Sequence, residues 1–112
     1  MKEEIVLFKI HRALEEGKSF YEATRAHWRM DTRRLQHIQY AVGVDRGKIV
    51  CAFRPLKWET VLEDGPDYKR KHFEGVEVSD EVLSQFQDAE LKLLAKFGAR
   101  KELAYASLTD ID

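Results

Sequence analysis

The segment from Gln39 to Phe53 constrains the fold more than any other. Gln39-Tyr40-Ala41-Val42-Gly43-Val44 alternates large apolar with small or polar residues, Asp45-Arg46-Gly47 supplies a turn, and Ile49, Cys51 and Phe53 alternate on the return. A period of two interrupted by a glycine-bearing turn is the pattern of a β-hairpin. Its apolar positions require a covering layer, and other parts of the chain offer one. Ile5 to Ile10, apolar and β-branched at its ends, predicts a first strand, and Leu103 to Leu108 a last one. Pro55 is expected to stop the return strand of the hairpin. Beyond it Trp58 to Leu62 reads as a weaker strand and Glu63 to Asp67 as a turn. Tyr68 to Val78 is expected to be extended, with Gly75 marking a bulge or a close backbone contact.

Two amphipathic stretches supply the cover. Ser79 caps the better defined one, with Asp80 and Glu81 in its first turn, Lys92 and Lys96 near its end and Gly98 just beyond. Its apolar stripe of Val82, Leu83, Phe86, Ala89, Leu93, Leu94 and Phe97 is core packing. The other stretch follows a polar connector through Gly17 and Lys18, starts at the cap Ser19 and is expected to run to Met30, with Asp31 capping a continuation from Thr32 to Leu35. On such a helix Phe20, Tyr21, Thr24, His27 and Trp28 share one face, Arg25 lies at its edge, and Arg25, Arg29 and Arg33 form a basic stripe. Thr109 to Asp112 is expected to fray. Residues 1–112 are thus expected to form a single α+β domain, with a small, curved, mainly antiparallel sheet or barrel flanked by two main helices.

Charge is uneven along the chain. The totals nearly balance, at 19 basic and 20 acidic residues, yet Ile5 to Arg54 holds ten Lys/Arg against five acids while Lys57 to Asp112 holds eight against thirteen. That asymmetry suits a dipolar surface with one anion-attracting side. The single Cys51 excludes an internal disulfide and sits mid-strand, where a buried, inert thiol is expected. The short apolar run Ile5-Val6-Leu7-Phe8 is flanked by Glu3, Glu4 and Lys9, too short for a signal-peptide core or a membrane span, so a cytoplasmic setting and no membrane partner are expected.

Catalytic patterns are weak. His11, His27, His37 and His72 share no metal-ligand spacing, no Gly-rich phosphate loop opens a helix, and no nucleophile stands with a base and an orienting acid; no metal, cofactor or catalytic residue is assigned. What remains is a basic and aromatic set. Tyr21, Arg25, Trp28, Tyr40, Arg54 and Trp58 are the candidate ligand-binding residues, and Arg29, Arg33, Arg34, Lys69, Arg70 and Lys71 the candidate contacts to phosphates. Faces for stacking and a positive track are what recognition of a single-stranded or flipped base needs. The expected function is therefore a non-enzymatic module that binds DNA or RNA. The alternative is a domain that takes a small ligand or a protein in an aromatic and arginine pocket.

Several segments together resemble one bacterial domain family. They are Ile5-Val6-Leu7-Phe8-Lys9-Ile10, Tyr21-Glu22-Ala23-Thr24-Arg25 with Trp28, Tyr40-Ala41-Val42-Gly43-Val44 leading through Gly47 to Phe53-Arg54-Pro55 and Trp58, Phe73-Glu74-Gly75, and Gly98-Ala99-Arg100 with Tyr105. The resemblance is to the domain that follows the GIY-YIG nuclease module in some bacterial proteins and also occurs alone. It implies a compact, barrel-like domain akin to the PUA-like folds that bind RNA or modified DNA bases. The nuclease strands themselves are not in this sequence. The chain also departs from the family pattern near its end, where Lys101-Glu102-Leu103 replaces a run of the Asn-Pro-Ile-Arg type.

Overall fold

The computed structural model describes residues 3–111. Five strands form one sheet: β1 (Ile5–Lys9), β2 (Tyr40–Asp45), β3 (Lys48–Thr60), β4 (Lys71–Glu77) and β5 (Leu103–Ala106), in the order β4-β3-β2-β1-β5. Three neighbouring pairs are antiparallel and β1 runs parallel to β2, so the sheet is mixed. It is open, with β4 and β5 as its edge strands. A parallel pair needs a long crossover, and residues 10–39 provide it with three short helices: α1 (His11–Glu15), α2 (Phe20–Arg25) and α3 (Thr32–Leu35). After β4 come α4 (Asp80–Asp88) and α5 (Glu90–Leu94), and a 3₁₀ turn over Leu108–Ile111 follows β5. The protein is thus α+β, and among the described residues no helix is long and apolar enough to cross a membrane.

The strand alternation divides the core into two halves, one on each face of the sheet. Ile5, Leu7, Val42, Val44 and Ile49 pack with Phe86 and Leu93 beneath α4 and α5. Val6, Phe8, Ala41, Cys51 and Phe53 pack on the opposite face with Ile10, Ala23 and Phe73, beneath α1, α2 and the chain that follows them. The expected stripe from Val82 to Phe97 covers the first half, but it is broken at Ala89, so one expected helix becomes α4 and α5. Ser79 caps α4 through its hydroxyl, which accepts from the Val82 N–H at 3.3 Å. The hairpin turn has Arg46 at φ 50° and Gly47 at φ 78°. Two positive φ values at the central residues make the turn whose twist matches antiparallel strands, and glycine takes one of them without steric cost.

Several local expectations change. The connector before Gly17 contains helix α1. Ser19 and Asp31 both cap as expected, but α2 ends at Arg25 because Ala26 turns extended and Trp28 pairs with Lys71: the Trp28 N–H donates to the Lys71 carbonyl at 2.9 Å, and the Trp28 carbonyl accepts from the Lys71 N–H at 2.7 Å. The Arg25, Arg29 and Arg33 stripe therefore does not form. Pro55 does not end its strand: β3 continues through Trp58 to Thr60, with a register shift between Pro55 and Lys57 that accommodates the missing donor. Opposite Pro55 stands Gly75, where an added Cβ would run into the Arg54 carbonyl, the close contact expected there. Tyr68 to Arg70 belongs to a turn, and β4 starts at Lys71. Thr109 to Ile111 is ordered in the 3₁₀ turn, where the Asp110 carboxylate accepts from the Ser107 N–H at 2.8 Å and pairs with Lys96 at 3.3 Å; Asp112 lies outside the described residues.

Candidate nucleic-acid interface

The expected ligand set divides between the two faces of the sheet. Tyr40 and Arg54 lie on the α4/α5 side, where Tyr40 packs edge-on against Phe86 at 5.2 Å and the Arg54 guanidinium lies 5.7 Å from the Tyr40 ring. Tyr21, Arg25, Trp28 and Trp58 lie on the other side. There Trp58 packs on Phe73 at 5.2 Å, its ring N–H buried without a protein acceptor. Tyr21 and Arg25 act as ties. The Tyr21 hydroxyl accepts from the Gly75 N–H at 3.1 Å, and Arg25 Nε donates to the Phe73 carbonyl at 3.0 Å while its guanidinium lies 5.7 Å from the Tyr21 ring. Both side chains thereby fasten α2 to β4.

Trp28 has a different setting. Its ring lies flat on Phe8, 4.2 Å between centroids, and its indole N–H donates to the Thr24 carbonyl at 2.8 Å. Because Trp28 bridges to Lys71, the chain around it flanks the outer edge of β4. From there it faces the outer edge of β5 across a cavity of about 750 Å³. This segment and the edge strand β5 form the walls of one slot. Trp28, Arg29 and Arg70 line one wall, and Leu103, Tyr105 and Lys101 the other, with Arg34 between them.

The β5 wall also offers backbone groups. The Lys9 N–H donates to the Glu102 carbonyl at 2.9 Å, which fixes the phase of the antiparallel ladder with β1. Alternation then points the N–H and C=O groups of Leu103 and Tyr105 away from β1, toward the slot. The slot is basic as well as aromatic: five Lys/Arg line it against Glu3 and Glu102. Arg34 is partly used, since it pairs with Glu3 and stands 4.1 Å from the Tyr105 ring. Burial pushes the Tyr105 phenol above its ordinary value, and the neighbouring Arg34 opposes this. Arg70 pairs with Asp67 at 3.7 Å but keeps a buried Nε with no acceptor among the described residues. Among the described residues, Arg29 and Lys101 have no ion-pair partner.

Other expected phosphate contacts lie elsewhere. Arg33 is exposed and turned onto Asp31 at 3.0 Å, whose carboxyl it holds below the ordinary value by hydrogen bonding. Lys69 lies over Tyr68, 5.5 Å from the ring, outside the slot. Lys71 is buried, its Nζ donating to Thr60 Oγ1 at 3.0 Å and to the Lys69 carbonyl at 3.3 Å. Cys51 is buried beside Thr24, and burial raises its thiol pKa. Among the described residues, no group of three His, Cys, Asp or Glu could hold a metal. The slot residues that the sequence did not single out for this role include Lys96, Lys101, the Tyr105 ring and the β5 backbone at Leu103 and Tyr105. Tyr105 and the run Lys101-Glu102-Leu103 stand in the segments compared with the family, but alternation along a short edge strand does not say what lies across from it.

No known family model matches the chain, and neither a curated protein nor a solved structure does.

Proposed function

We propose that the chain is a non-enzymatic nucleic-acid-binding module and that the slot between the Trp28 segment and β5 receives an unpaired base with its adjoining phosphates. The observation that carries this reading is the joint presence, in one cavity of about 750 Å³, of Trp28, Tyr105, Arg29, Arg34, Arg70 and Lys101. An unpaired base offers a π-face to rings and hydrogen-bonding edges to fixed donors and acceptors. The Leu103 and Tyr105 backbone groups suit the base edge, and Trp28 and Tyr105 suit its face. Arg29 and Lys101, free of carboxylate partners among the described residues, suit the phosphates, and Arg70 Nε, which has no acceptor among them, suits an acceptor on the ligand. The PUA-like kinship and the link to GIY-YIG-associated domains belong to this same proposal. They are supported by the sequence segments that carry the resemblance.

The test is binding of labelled single- and double-stranded DNA and RNA followed by fluorescence anisotropy over a salt series. Single strands are expected to bind better than duplexes, and affinity is expected to fall with salt. Replacing Arg29 or Lys101 by Ala should lower the salt slope by about 0.7 for each lost contact to a single strand. Absence of binding to every oligonucleotide at low salt would overturn the proposal.

A further inference from the structure

A second cavity lies at the other end of the β1/β2 pair, where the two parallel strands finish. Positions 5, 7 and 9 of β1 point toward α4 and α5; the first two are buried Ile5 and Leu7, but the third is Lys9. The inward row thus ends in a charge where another apolar residue would close the core. Next to it is a cavity of about 420 Å³, lined by Lys9, His11, Val44, Arg46, Leu94 and Phe97. Val44, Leu94 and Phe97 form an apolar floor continuous with the core beneath the helices.

The rim carries charge of two kinds. The Lys9 ammonium stands 4.8 Å from the Phe97 ring and has no carboxylate partner among the described residues. Arg46 Nε and an Asp45 carboxylate oxygen each stand 3.1 Å from His11 Nδ1 and 3.9 Å from one another, and Glu15 stands 2.7 Å from His11 Nε2. Asp45 and Glu15 serve this ring from outside the cavity wall, leaving Lys9 as the uncompensated group at the mouth. An apolar floor with a few convergent polar groups is the common form of a small-molecule site, and the carboxyl ends of parallel strands are a recurrent place for one.

We infer that this cavity is a second binding site, which takes a small monocarboxylate with an aryl or short alkyl body. The body lies on Val44, Leu94 and Phe97, and the carboxylate meets Lys9, with Arg46 at the rim. The site is separate from the slot and stands whether or not the slot binds nucleic acid. The probes are phenylacetate and its neutral counterpart phenylacetamide, titrated into the protein while the amide and side-chain NMR signals of Val44, Leu94 and Phe97 are followed. Phenylacetate is expected to saturate these signals in the millimolar range or below, with phenylacetamide about tenfold weaker, the ratio of one charge-assisted contact.

Lys9→Gln is expected to remove that preference, and Arg46→Gln, a change to an exposed turn side chain, to reduce it in a variant whose core is untouched. Arg29→Ala, in the slot, should leave phenylacetate binding as it was. Equal binding of the acid and the amide, unchanged affinity in both cavity variants, or no saturation by phenylacetate would each overturn the inference.

Discussion

The two faces of the sheet are covered in different ways, and the difference separates what stabilises this protein from what is available for binding. Under α4 and α5 the cover is a regular apolar stripe, with Phe86 and Leu93 fully buried, and its polar ties converge on Ile49, whose N–H is accepted by Glu90 and whose carbonyl is met by Gln87. On the other face, α2 and the extended segment after it carry large aromatics, and their polar groups reach the backbone one by one: Tyr21 to Gly75, Arg25 to Phe73, Trp28 to Thr24. The first arrangement hides most of its apolar surface and leaves open only the small cavity floored by Val44, Leu94 and Phe97. The second leaves Trp28 with a place both in the core and on the wall of a basic slot.

The largest expected effect falls on the helical face. Phe86→Ala removes a ring with no exposed surface and should cost about 3 to 5 kcal/mol in denaturant unfolding. A loss below about 1 kcal/mol would mean that the two faces do not differ in this way. Next comes Arg25→Ala. It removes the donor to the Phe73 carbonyl, and a loss of about 1.5 to 3 kcal/mol is expected, with oligonucleotide affinity little changed once the protein is folded. A stable variant with lost affinity would return Arg25 to the ligand site. Tyr21→Phe keeps the ring and deletes only the acceptor for the Gly75 N–H, so about 1 kcal/mol is expected from thermal or chemical unfolding.

These effects also show which parts of the molecule could be read from sequence. The hairpin, the first and last strands, the cap at Ser79 and the stripe through Phe86 follow from periodicity and capping, because there local pattern and tertiary packing agree. The end of α2 could not be read. No glycine or proline marks Ala26, and the helix stops because Trp28 pairs with Lys71, far away in sequence. Pro55 misled for a related reason: its strand tolerates it only through a bulge opposite Gly75. For the site, Trp28, Arg29, Arg34 and Arg70 were visible as residue types, yet their grouping depends on the segment after α2 facing the edge strand β5. Separating Tyr40 and Arg54 from Trp28 and Trp58 likewise needed the register, since one position decides which face a side chain joins.

The smallest expected effect is a pH dependence on the irregular face. His27 is held below its ordinary value of 6.5 chiefly by desolvation, with Asp67 opposing and His72 and Arg25 reinforcing the shift. The folded protein then binds this proton less readily than the unfolded chain. Its contribution to stability is present above the ordinary imidazole range and is lost as the pH falls through the lowered value. His27→Asn should therefore make the decline in unfolding temperature between neutral and mildly acidic pH shallower. A steeper decline would reverse the sign assigned here.

The most direct measurement is a titration of the labelled protein with a short single-stranded oligonucleotide at low salt, read by amide and indole NMR shifts. The expected result is a set of shifts confined to the slot, at the Trp28 indole and the amides of Arg29, Leu103 and Tyr105, with α4 and α5 silent. Shifts centred on α4 and α5, or none at the slot while the oligonucleotide binds, would contradict the assignment of the binding surface to the slot beside β5.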